Sequence, residues 1–143
     1  MDQALFRILY CSRNLIGGIG GVQNEPILHI LETARTNNGR KNVTGALLYN
    51  AGYFAQVLEG PRAAIEQVFE RIQRDARHGD VTVLECAGIS ERDFPAWSMA
   101  RVQPVSEVQA ADATYALHAA LGNPKASGRS VLELLRSLVV YED

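Results

Sequence analysis

A glutamine stands where the pattern asks for an apolar side chain. In Tyr53 to Leu58 (YFAQVL), Phe54, Gln56 and Leu58 alternate onto one face of a strand. If that face is core, Gln56 brings an amide donor and an amide acceptor into apolar surroundings. An unpartnered buried amide costs about 1–3 kcal/mol, so Gln56 is either satisfied by protein or placed for a ligand. Tyr10 has the same character. Phe6, Ile8 and Tyr10 share one face of the stretch LFRILYCS, and a phenol on an apolar face needs a partner for its hydroxyl. Asn38 is a third polar candidate. It sits where a helix should end, a place asparagine also takes for its left-handed backbone.

The remaining candidates carry weaker chemistry. Residues 13–24 (RNLIGGIGGVQN) follow a strand and precede a helix, as phosphate-binding loops do. Gly18 and Gly20 fit the dinucleotide fingerprint, but Gln23 occupies its third glycine position. The loop reads first as a connector, with an acyl-phosphatase-like site using Arg13 as the alternative. His29, His78 and His118 lie far apart and pair with no cysteine at metal spacing. Arg71 and Asp75 are four apart on a helical stretch, where the plain reading is a surface ion pair worth under about 1 kcal/mol. Trp97 and Met99 read as core filler.

The elements that must position these residues follow from periodicity. Residues 5–12 form a first strand. Asn24 caps a helix whose first turn holds Pro26, and Ile27, Ile30, Leu31 and Ala34 give it an apolar stripe. Residues 46–58 form a hairpin around Asn50-Ala51-Gly52. A second helix starts at Gly60-Pro61, with Ile65, Val68, Phe69 and Ile72 on one side, and ends in RDARHG. Residues 81–87 are a fourth strand and 99–102 a short fifth. This order, βαββαββ, defines an α+β ferredoxin-like sandwich with two helices on one sheet face. Residues 105–121 and 128–140 read as two more helices around Gly122-Asn123-Pro124, set on the open sheet face or on a partner chain. In this fold the first and third strands are neighbours at the sheet centre. Tyr10, Gln56 and Asn38 then converge on one gap between the sheet and two helices, which suits a planar, mostly apolar ligand with an amide-like edge.

Composition narrows the class. The chain has 143 residues, 47% hydrophobic and 21% charged, with a formal net charge of −2. That is the size and balance of a soluble globular domain, without the basic footprint of a nucleic-acid binder. Two cysteines make neither a disulfide framework nor a zinc cluster. No apolar run is long enough to span a membrane, and the N-terminus lacks signal-peptide organisation, so the expected location is the cytoplasm.

The set RILYCSR, ARTNN, NVTGALLYNAGYFAQVLEGP, RIQRDARHGDV and RDFPAWSM resembles the BLUF domains, blue-light sensors using FAD. The resemblance covers about residues 5–102. It implies that Tyr10 is the photoactive electron and proton donor, and that Gln56 is the switching amide between Tyr10 and the flavin. It implies that Asn38 bonds the pyrimidine edge, with Asn37 and Thr44 at neighbouring pocket positions. Arg71 and Asp75 would be the polar pair beside the ring, His78 their helix-end neighbour, and Trp97 and Met99 the pair that relays the signal. Residues 1–103 then form the flavin-binding sensor domain and 104–143 a helical extension, in a stand-alone sensor and not an enzyme. FAD is the expected cofactor, and a homo-oligomer and a downstream protein the expected partners; neither nucleic acid nor membrane is expected. The glycine-rich loop departs from the family pattern. An RNA-recognition-like module, with Tyr10 and Phe54 stacking bases, is the rival from the binding class.

Overall fold

Among the described residues, five strands make one sheet in the order β4-β1-β3-β2-β5. They are β1 (Leu5–Asn14), β2 (Thr44–Asn50), β3 (Tyr53–Pro61), β4 (His78–Ile89) and β5 (Ala100–Val102). The computed structural model describes residues 4–14, 42–50, 52–75, 78–94, 100–102 and 107–138. The glycine-rich stretch 17–21, the expected first helix, Asn37, Asn38, Trp97 and Met99 lie outside them.

Strand β1 pairs antiparallel with both β3 and β4, and β2 with β3. β1 and β2 therefore run parallel with β3 between them, and β3 and β4 run parallel with β1 between them. This split arrangement is the ferredoxin-like order, extended at one edge by β5, which pairs parallel with β2. The hairpin closes with Asn50 opposite Tyr53. At Gly45 a Cβ would stand 1.9 Å from the Val57 carbonyl oxygen, an approach only glycine permits.

Helix α1 (Arg62–Arg74) follows β3 directly, with Pro61 as its N-cap. It lays Ile65 and Val68 against Ile8, Tyr10, Leu47, Phe54 and Leu58 of the sheet, with Phe69 and Ile72 beside them. Helices α2 (Glu107–Gly122) and α3 (Pro124–Leu138) cover the opposite face. There Leu117, Ala120, Val131 and Leu135 pack on Leu9, Cys11, Ala46, Leu48, Ala55, Val57, Leu84 and Phe94. The last two helices thus sit on the sheet face left open by α1. Helix α3 begins at Pro124, four residues before its expected start. Proline at a first helical position loses no hydrogen bond, and Asn123 accepts at its carbonyl from Ala126 N–H and Ser127 Oγ. The fourth strand is also longer than expected, because His78 begins the strand and does not end the helix.

Candidate functional site

Tyr10 and Gln56 stand directly opposite each other on β1 and β3, with Leu47 of β2 on Gln56's other side. Alternation turns all three toward α1. Tyr10 is fully buried and Gln56 is 4% exposed. The buried amide is answered from within the sheet: the Tyr10 hydroxyl donates to Gln56 Oε1.

The end of α1 and the start of β4 complete the surroundings. Phe69 lies against Tyr10, ring centroids 5.5 Å apart. The His78 ring sits 4.5 Å from that of Phe54 and edge-on to Tyr10 at 6.0 Å. Its Nδ1 is 2.9 Å from Oγ of Ser12, a fully buried residue. Asp75 closes the helix with its N–H on the Ile72 carbonyl. Burial first, and then the Asp75 carboxylate and Cys11, hold the Tyr10 phenol well above the ordinary tyrosine value. Tyr10 therefore keeps its proton in the resting protein.

Of the residues expected from sequence, the structure brings Tyr10, Gln56, Asp75 and His78 together. Thr44 does not join them. It stands opposite Glu59, on the face away from Gln56, and its hydroxyl accepts from Arg92 Nη1 at 2.8 Å. Arg71 is exposed, in a shallow hollow with Gln67, Glu70 and Arg74. Ser12 was legible and missed: it continues the Phe6, Ile8, Tyr10 face as a polar residue, the same signal that marks Gln56. Arg13 makes an exposed ion pair with Asp80 at 2.8 Å. Tyr10 and Phe54 are wholly buried, so they offer no open stacking platform to RNA.

A second polar cluster lies on the other face, and sequence reasoning missed it entirely. Arg7 of β1 stands opposite Glu59 of β3. Glu59 is fully buried and Arg7 7% exposed. Oε2 of Glu59 accepts from Arg7 Nε at 3.0 Å, from Arg7 Nη2 at 2.9 Å and from Asp93 N–H at 3.2 Å, while Oε1 accepts from Phe94 N–H at 2.8 Å. Arg7 also bonds Glu85 at 3.1 Å, and Asp93. Burial acts to lower the Arg7 pKa, but its bonds to Glu59 and Glu85 outweigh that and hold it above its usual value.

A split α+β sheet thus carries a buried phenol–amide pair beneath a helix. The chain belongs to the family described as sensors of blue-light using FAD (BLUF), whose model it matches over residues 5–100. It is similar to photoactivated adenylate cyclase subunit beta of Euglena gracilis, 41% identical over 71 residues, which are 49% of this chain and 8% of that protein. The blue light- and temperature-regulated antirepressor BluF of Escherichia coli K12 is 35% identical over 74 residues, 50% of this chain and 18% of that one. The chain thus covers less than a fifth of either relative's length. Among solved structures, the dark state of the BLUF protein BlrB matches with a TM-score of 0.70 at 28% identity, covering 95% of each chain. The photo-activated state of BlsA matches with a TM-score of 0.74 at 27% identity, covering 97% of each.

The chemistry of the donor set fits the family's cofactor. A phenol and an amide lie at the foot of a wall built by Ile65, Val68, Phe69 and Ile72, which suits a flat ring with a polar edge. Among the described residues no helix is long and apolar enough to cross a membrane.

Proposed function

We propose that this chain senses blue light through the Tyr10–Gln56 pair. The hydrogen bond from the Tyr10 hydroxyl to Gln56 Oε1, buried against α1, carries the reading. Bound FAD supplies the absorption of blue light and, when excited, an electron acceptor able to oxidise a phenol. Tyr10 holds its proton until it gives up an electron, and then releases the proton along its bond to Gln56. The Gln56 amide has both a donor and an acceptor end, so it can pass that proton on and, once the electron and the proton have returned to Tyr10, stand reoriented or tautomerised. The result is a changed hydrogen-bond pattern that biases a two-state element. Asp75 and His78 line the same end of the site, and on this reading Asn38 bonds the pyrimidine edge with Asn37 at a neighbouring position.

Residues 1–103 act as the sensor domain and 104–143 as its output. The matched region acts as a sensor and not as a catalyst. Val108 and Tyr115 of α2, 71% and 78% exposed, are the surface through which it self-associates, in the cytoplasm. Light scattering showing a monomer at micromolar concentration overturns that last point. The test of the function is the visible spectrum in darkness and after blue light. Flavin bands that move slightly red and return in darkness support it, and bands that stay fixed refute it.

A further inference from the structure

Arg7 and Glu59 are buried, charged and unused by the light chemistry. They are partners across the β1–β3 ladder, as Tyr10 and Gln56 are, three residues away along each strand. The odd spacing puts the two pairs on opposite faces of the same two strands. Tyr10 and Gln56 face α1, while Arg7 and Glu59 face the side covered by α2 and α3. Glu59 takes the backbone N–H groups of Asp93 and Phe94 on its two oxygens. Arg92 fastens the same short segment to the Asn42 and Glu59 carbonyls and the Thr44 hydroxyl. Asp93 lies 3.9 Å from Arg136 of α3. The Phe94 side chain belongs to the core that Val131 and Leu135 of α3 complete.

We infer that Glu59, held by Arg7, is the positioning residue that carries the light response through the sheet to residues 92–94 and on to helix α3. This rests on the sensor reading above. When the Tyr10–Gln56 bond rearranges, β3 and β1 shift relative to each other, and the next cross-strand pair of matching kind on those strands is Arg7–Glu59. A carboxylate with four donors in a water-poor site is a stiff joint, because its bonds are strong and depend steeply on geometry. It transmits a small strand displacement where apolar side chains alone would slide. The displaced Asp93 and Phe94 then reset the contacts of α3.

The test is amide hydrogen exchange of α3 in the FAD-loaded protein, in darkness and under blue light, with the flavin spectrum recorded in parallel. The unsubstituted protein should show a light-minus-dark difference in α3. Asp93→Asn should keep the red shift and the dark-state exchange of α3 yet lose that difference; a merely structural role would instead raise the dark exchange. Glu59→Gln should behave alike if it folds, and Asp93→Asn, which keeps an acceptor for Arg7, decides the matter if it does not. An intact red shift with an undiminished α3 difference in Asp93→Asn overturns the coupling alone, as does an unsubstituted protein that shifts red with α3 unchanged. An unsubstituted, FAD-loaded protein with no red shift removes the sensor reading and the coupling with it.

Discussion

The Tyr10 hydroxyl donates to the carbonyl end of the Gln56 amide, so the amide nitrogen is turned away from the phenol. Only one of the two amide orientations allows this, because the nitrogen end cannot accept. Turning the amide over would place two donors together and force the tyrosine to accept. On the proposed function, these two orientations are the two states of the switch. Gln56→Leu removes both states: it should still bind FAD and show flavin bands with no light-induced red shift. Leucine cannot accept from the buried Tyr10 hydroxyl, so without cofactor the variant should lose about 1–3 kcal/mol of stability. A normal photocycle in Gln56→Leu refutes the role given to this residue.

Tyr10→Phe should likewise keep the cofactor and lose the cycle. It also tests the electrostatics. Burial, then Asp75 and Cys11, hold the Tyr10 phenol well above 10, and burial raises the Cys11 thiol to about 11. Both groups keep their protons in the folded state at a pH where the unfolded chain releases them. Their contribution is whole below about pH 9 and is lost as pH rises, from about 9 to 11 for Cys11 and from about 10 upward for Tyr10. Urea midpoints should hold between pH 7 and 8.5 and fall beyond pH 10. Tyr10→Phe should flatten the upper part of that fall, and an unchanged slope contradicts the assignment.

Why some of this was legible and some was not is a matter of range. Alternation along a strand is local, so the misplaced Gln56 and the face of Tyr10 could be read directly, and the βαββαβ order made their strands neighbours. Direct opposition of the two residues needed the register, which no local signal in β1 carries. Glu59 was illegible for a different reason. A glutamate before Gly60-Pro61 reads as a solvated strand end, and the amides that bury it come from Asp93 and Phe94, 34 and 35 residues away. The α3 start lies earlier than the pattern predicts because Pro124 reads as a separator in sequence, although proline also opens helices. Ser12 required only that the logic applied to Gln56 be carried one alternation further.

The Arg7–Glu59 pair should not behave as a replaceable salt bridge. Removing one partner of a buried pair costs about 3–5 kcal/mol, whereas swapping both for apolar residues is often neutral. Here the second half of that rule should fail. Glu59 also satisfies two backbone amides, and a leucine in its place strands both. Arg7→Met with Glu59→Leu should therefore remain less stable than the unsubstituted protein, by about 1–3 kcal/mol for each backbone N–H left without its acceptor. Chemical denaturation of the two proteins measures this, and a double variant as stable as the unsubstituted protein would show that the loop amides find other partners.

The seat of α3 on the sheet depends on one glycine. The β1–β4 register slips between Leu9 and Tyr10, whose partners are Glu85 and Val83, leaving Leu84 between them as a bulge. The Leu84 side chain enters the core, and its carbonyl meets α3 at Gly128. A Cβ there would lie 3.1 Å from the Leu84 oxygen and 3.6 Å from its carbonyl carbon. Two effects compete in Gly128→Ala: a gain of about 1 kcal/mol in helix propensity and the tight contact with a backbone held by β1. They should nearly cancel. Gly128→Val adds two methyl groups at the same place and gives up most of the propensity gain, so overpacking decides, at about 1–3 kcal/mol. Thermal unfolding should show Gly128→Ala near the unsubstituted protein and Gly128→Val clearly below it. Equal stabilities for all three would mean that α3 moves freely on β4, and that Arg136 and Leu135 are not held at fixed positions over Asp93 and Phe94.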